Sequence, residues 1–106
     1  MAYIDDFEFM VPRSIWSEGD EIREAVSSIY LDTKKYIELA KEYLTVKDPH
    51  PEIEGVHSEW YPLWLEIKEG GGLFFEISFQ LTGDDCGIWI VVIKDEQATS
   101  HYYVCD

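Results

Sequence analysis

Three histidines, twenty-two carboxylates and one run of glycines are the residues of this chain whose types suit chemistry. His57-x-Glu59 sets an imidazole and a carboxylate on one face of an extended segment, and His101-x-Tyr103-x-Cys105 aligns three more polar groups. Either pattern would serve proton transfer or part of a metal site. Neither brings the companion ligands of a closed zinc site or the Cys-x-x-Cys of a zinc deaminase. His50 stands alone between two prolines. All three histidines read as surface or satisfied core residues.

Gly70-Gly71-Gly72 is followed by no Lys-Ser or Lys-Thr and leads into an apolar alternating segment, so it reads as a hairpin turn and not a phosphate loop. Asp84-Asp85 falls where a turn favours Asp for backbone reasons. With carboxylates in every segment, no pair stands out as a tuned acid and base, and no Asp-x-Asp-x-Asp-Gly calcium loop occurs. No catalytic residue, metal site or cofactor is assigned. The chain reads as non-enzymatic.

Charge carries more information. The 22 acids face 8 Lys and Arg, a formal net charge of −14 on 106 residues. A magnitude of about 2–8 is ample for the solubility of a small domain. The excess repels nucleic acid and anionic membranes and speeds encounters with basic partners. Lys34, Lys35, Lys41 and Lys47 are interleaved with Glu38 and Glu42, which makes local helical pairs and not a phosphate track. From Asp48 onward, twelve acids meet only Lys68 and Lys94. The negative potential is therefore expected on the sheet, its turns and the Pro-rich segment.

The length suits one domain spanning 1–106, and 46% hydrophobic residues are enough for a core. No apolar run approaches the roughly 20 residues that span a bilayer. The start, with Asp5 and Asp6, lacks the cations of a signal peptide, so a cytoplasmic location is expected. Cys86 and Cys105 can form one bridge, but the expectation is reduced, partly buried structural thiols.

Residue patterning predicts the elements that would position these groups. Phe7 to Val11 reads as a short edge strand ended by Pro12. A helix then begins with either Ser17 or Asp20 as its cap. From Glu21 to about Leu44, Ile22, Val26, Ile29, Thr33, Tyr36, Ala40 and Leu44 recur at helical spacing. Such a helix would be about 36 Å long against about 27 Å for an eight-residue strand. It should overhang or break, with Ser27-Ser28 and Asp32-Thr33 as the weak points; one kinked helix and two in succession fit equally. Lys47-Asp48-Pro49-His50-Pro51 ends it. Four strands follow, at 59–68, 73–81, 87–94 and 99–104, joined by short turns into an antiparallel meander. The fold class is α+β: a four- to five-stranded antiparallel sheet with one long or broken helix on one face.

Alternation divides the sheet. Leu63, Leu65 and Ile67, with Leu73, Phe75, Ile77, Phe79 and Leu81, should meet the helix. The second face would combine Trp64, Phe74 and Trp89 with Glu66, Glu76, Ser78 and Gln80. Ile88 to Ile93 is apolar on both sides, which suits a central, doubly covered strand or one that touches an outside partner. Either the second face is a binding patch or the N-terminal strand or the loop from Thr45 to Val56 buries its rings.

In physical type the chain is similar to small acidic inhibitors of nucleic-acid enzymes: bacterial immunity proteins and phage proteins that imitate DNA. The similarity is one of class and rests on acidity, size and a folded core. It implies a basic protein partner such as a toxin or nuclease domain, with Trp60, Trp64, Trp89, Glu66, Glu76, Asp84 and Asp85 as the contact residues. A DNA-mimic inhibitor of a host defence nuclease is the first alternative. A small ligand-binding or enzymatic domain with a pocket between helix and sheet is another, and a subunit of a larger complex is the plainest.

Overall fold

The computed structural model describes residues 7–47, 60–81 and 87–105. In chain order these form β1 (Glu8–Met10), α1 (Arg13–Trp16), α2 (Asp20–Leu31), α3 (Thr33–Lys47), β2 (Trp60–Glu69), β3 (Leu73–Leu81), β4 (Gly87–Lys94) and β5 (Gln97–Cys105). The strands make one five-stranded sheet in the order β1-β2-β3-β4-β5. The last four form the expected antiparallel meander, but β1 runs parallel to β2. The whole helical region separates β1 from β2 and supplies the long crossover that a parallel pair needs.

The helix breaks at Asp32, one of the two expected places. Asp32 adopts φ −99° and ψ 15°, and its N–H donates to Ser28 and Ile29 carbonyls at 3.2 and 3.1 Å. The Thr33 hydroxyl donates back to the Tyr30 carbonyl at 2.7 Å, the local competition with the backbone ladder that short polar side chains offer. Two corrections apply upstream. Gly19, and neither Ser17 nor Asp20, occupies the N-cap of α2, with no side-chain capping bond. Ser17 instead closes the short α1, which buries Ile15.

The helices bury one apolar stripe against the sheet. Val26 of α2 and Tyr36, Ile37, Ala40 and Leu44 of α3 join Leu65, Ile67, Phe75, Ile77, Phe79, Val91 and Ile93 in a single hydrophobic cluster. Lateral rows of the sheet make up its floor: Phe9–Leu65–Ile77–Val91–His101 and Ile67–Phe75–Ile93–Ala98. Tyr36 anchors α3 by setting its ring edge-on against Phe75, 4.8 Å between centroids, and donating its hydroxyl to Glu96 at 3.5 Å.

The turns have opposite chemistries. At β2–β3, Gly71 and Gly72 take φ of 69° and 117°, values that L side chains rarely adopt. At β4–β5 the two turn residues are Asp95 and Glu96, with φ of 51° and 64°. Two consecutive positive values are the signature of a type I′ turn, whose twist matches that of the strands it joins.

One expectation about the cysteines is overturned. Cys105 is disulfide-bonded, where a reduced thiol was expected. Cys86 lies outside the described residues, as do His50, His57, Glu59, Asp84, Asp85 and the Pro-rich segment.

Candidate functional site on the open face of the sheet

A bulge decides which aromatic residues share a face. Pro62 pairs with Phe79 and the next register pair is Trp64 with Ser78, so Leu63 is an extra residue in β2. Downstream of the bulge, Leu65 and Ile67 face the helices and Trp64, Glu66 and Lys68 face away. Upstream the parity inverts: Trp60 and Pro62 share the helix side with Leu81 and Phe79, while Tyr61 joins Gln80 on the other. Leu63 accordingly leaves the expected core face and lines a shallow groove with Glu8, Met10 and Trp64.

Trp89 is a second correction. It pairs laterally with Phe79 and Tyr103, which places it on the helix side. There Trp60, Trp89 and Tyr103 form an aromatic row, with centroid separations of 5.5 and 4.4 Å. Gly87 makes the row possible, because a Cβ at that position would overlap the Tyr103 ring. Two of the three tryptophans expected on a binding patch thus belong to the helix side.

The opposite face carries two lateral rows, Glu8–Trp64–Ser78–Ile90–Tyr102 and Met10–Glu66–Glu76–Val92–Ser100. Phe74, paired with Lys68, extends it toward the glycine turn. Trp64, Phe74, Glu66, Glu76, Ser78 and Gln80 lie where alternation puts them. Tyr61, Ile90 and Tyr102 are additions. The bulge hid Tyr61, whereas Tyr102 lay within the expected strand at 99–104 without being assigned to a face. Among the described residues, no helix packs on this side.

Glu66 and Glu76 are direct cross-strand neighbours, an arrangement that costs stability when both are charged. Lys68 resolves it: its Nζ lies 3.3 Å from Glu76 Oε1 and 4.0 Å from Glu66 Oε1. The Tyr102 hydroxyl reaches across β4 and donates to Glu76 Oε1 at 2.9 Å. Glu76 is only 9% exposed, so the sequence expectation that it contacts a partner changes: its carboxylate is committed inside the face. Shielding of the phenol from water, the bond to Glu76 and the charges of Glu76 and Glu66 push the Tyr102 pKa up to about 12. Beside Glu76, Ser78 is 1% exposed, and its Oγ has no hydrogen-bond partner.

The described part of this face is therefore close to neutral. Glu8, Glu66 and Glu76 are set against Lys68 and Lys94, the latter 5.2 Å from the centroid of the Phe74 ring. The helical region nearly balances its charge, with Glu18, Asp20, Glu21, Glu24, Asp32, Glu38 and Glu42 against Arg13, Arg23, Lys34, Lys35, Lys41 and Lys47. In the described residues the acidic excess lies on the strands and turns as expected, through Glu69, Asp95 and Glu96 at the turns, and not on the open face itself. Chemically, the open face offers aromatic and aliphatic contact area around a buried, charge-compensated polar centre. His101, on the helix side, sets its ring edge-on to Tyr43 at 5.5 Å. Among the described residues, no cluster of three His, Cys, Asp or Glu is placed to hold a metal ion.

Two apolar grooves flank the helices, each of about 340 Å³. One lies between α3 and the start of β5, the other between β1 and the α2–α3 break. No protein-family profile, curated protein or solved structure matches the chain. Among the described residues, no helix is long and apolar enough to cross a membrane.

Proposed function

We propose that this chain is a non-enzymatic acidic protein that binds and inhibits a basic protein, in the manner of an immunity protein that occludes a toxin domain such as a nuclease. The observation that carries the reading is the open face, an aromatic and aliphatic surface on a molecule of net charge −14. Long-range attraction brings the cationic partner in, and apolar contacts hold it. Trp64 is the central contact, with Phe74, Tyr61, Tyr102 and Glu66 around it. Asp84 and Asp85, outside the described residues, belong to the proposed rim. Glu76 acts from within by fixing Tyr102 and Lys68.

Cytoplasmic residence belongs to the same proposal. The disulfide at Cys105 weighs against it, since such bonds persist mainly in oxidising compartments. Neither flanking groove is lined by His101, which gives no support to the alternative of a polar pocket between helix and sheet.

The test is co-expression with the product of the adjoining gene, followed by association kinetics across a range of salt. Rescue of growth, and an association rate that falls as salt rises, are the expected results. Trp64→Ala should weaken the complex by about 2 kcal/mol or more, roughly thirtyfold, while sparing the fold. No rescue, together with association indifferent to salt, rules the reading out.

A further inference from the structure

Trp64 differs from the other tryptophans of the chain. Trp16 has the Arg23 guanidinium 5.4 Å from its ring centroid, and Trp60 and Trp89 pack edge-on against each other at 5.5 Å. Phe74 and Tyr36 likewise carry Lys94 and Lys35, at 5.2 and 5.1 Å. Among the described residues, Trp64 meets neither a second ring nor a cation. Its lateral neighbour on β1 is the exposed Glu8, and the backbones of paired strands lie only about 4.8 Å apart. Among the described residues Glu8 has no ion pair either. Met10 and Leu63, the extra residue of the bulge, complete a groove of about 450 Å³ with these two, and Glu8 supplies the one charge in its lining. Lys68, the cation of β2, is engaged with Glu76 and Glu66.

An indole beside a carboxylate, flanked by aliphatic side chains, suits a guest that is flat, cationic and carried on an apolar stem. The guanidinium of Arg is such a group: it stacks on aromatic rings, is more weakly hydrated than an ammonium, and donates to a carboxylate through its edge. We propose that the groove of Glu8, Met10, Leu63 and Trp64 is a binding site for one arginine side chain of the basic partner. Its guanidinium lies on the Trp64 ring and donates to the Glu8 carboxylate, and its methylene stem packs on Met10 and Leu63. This deepens the open-face reading above and rests on it for the partner being a basic protein. The field favours such a guest over a second copy, which would bring a net charge of −14 of its own.

The experiment titrates the full, isotopically labelled chain with an end-capped Gly-Arg-Gly peptide. Two controls replace the arginine, one by lysine and one by neutral citrulline, which keeps the shape and loses the charge. Saturable shifts are expected at the Trp64 indole N–H and the Met10 methyl. The Arg peptide should bind about threefold tighter than the Lys peptide and about tenfold or more tighter than the citrulline peptide. Glu8→Gln, at an exposed position, should weaken the Arg peptide about fivefold, whereas Glu38→Gln, the same change of charge on α3, should leave it unchanged. Equal losses in the two variants would reduce the effect to the general field and overturn the proposal. Absence of binding, shifts centred away from Trp64, or an Arg peptide no tighter than either control would do the same. So would a dimer by sedimentation that Glu8→Gln abolishes, which would give the groove to a second copy. The two readings fail separately: growth rescue undiminished by Glu8→Gln would sink the groove and keep the inhibitor, and Arg binding at Trp64 without rescue would do the reverse.

Discussion

The two faces of the sheet are made by the same strands, yet one is a core and the other a surface with a small core inside it. On the helix side, Leu65, Ile67, Ile77, Phe79, Val91 and Ile93 are fully buried and wholly apolar. On the open side, the two most buried residues are Ser78 and Glu76, both polar. Burial on the first face comes from a covering layer. On the second it comes from neighbours leaning over a central pair of short or tethered side chains. The first arrangement sets the stability of the chain, and the second sets the shape of a contact surface.

Removing one phenylalanine from each face gives the sharpest contrast. Phe79→Ala, on the helix side, should cost about 3–5 kcal/mol in urea unfolding. Phe74→Ala, half-buried on the open side, should cost about 1 kcal/mol. Equal costs would mean that the open face is covered after all.

Glu76→Ala comes next, at about 1–3 kcal/mol, because it strands the Tyr102 hydroxyl and the Lys68 ammonium. The same variant should bring the Tyr102 phenol back from about 12 toward its usual value near 10, read by ultraviolet titration. The sign follows from the neutral phenol being the favoured form. Its contribution to stability is intact below pH 10 and disappears as the pH climbs from 10 through about 12.

Ser78→Ala removes a buried hydroxyl with no partner and should be neutral or stabilising by up to about 1 kcal/mol. A clear loss of stability would show that the hydroxyl is satisfied in solution.

The smallest effect is expected at Glu18. Contact with Glu69 at the glycine-turn end of β2 raises its carboxyl, through partial loss of water, a shared hydrogen bond and like charge. A raised carboxyl stabilises the fold when protonated, and that gain is lost as the pH rises through its folded value. Glu18→Gln should therefore flatten the acid limb of a thermal-melting pH series and slightly raise the melting temperature at neutral pH.

The core and the meander were legible because their signals are periodic. Leu73 to Leu81 alternates without exception, and the Ile22-to-Leu44 stripe has no Gly or Pro to interrupt it. The break at Asp32-Thr33 was legible as one of two equal choices. The face of Trp60 was not, since one extra residue at Leu63 reverses the parity of everything before it, and composition carries no sign of that insertion. Trp89 was ambiguous for another reason: β4 is apolar on both sides, so alternation has nothing to measure. The parallel sense of β1 could not be read from three residues. For the candidate site, Trp64, Phe74, Glu66 and Ser78 followed from pattern alone. The engagement of Glu76 by Tyr102 spans three strands and needs the register.

The parallel attachment of β1 bears on the order of assembly. The meander closes through short hairpins, whereas Phe9 meets Leu65 only after the whole helical stretch has folded back between them. Contacts so distant along the chain are slow to form. Until they do, β2 is an uncapped edge of a three-turn hairpin stack, and the N-terminal strand serves as the latch that closes it. Amides of β1 should accordingly be the last in the sheet to gain protection during refolding and the first to lose it in the native state.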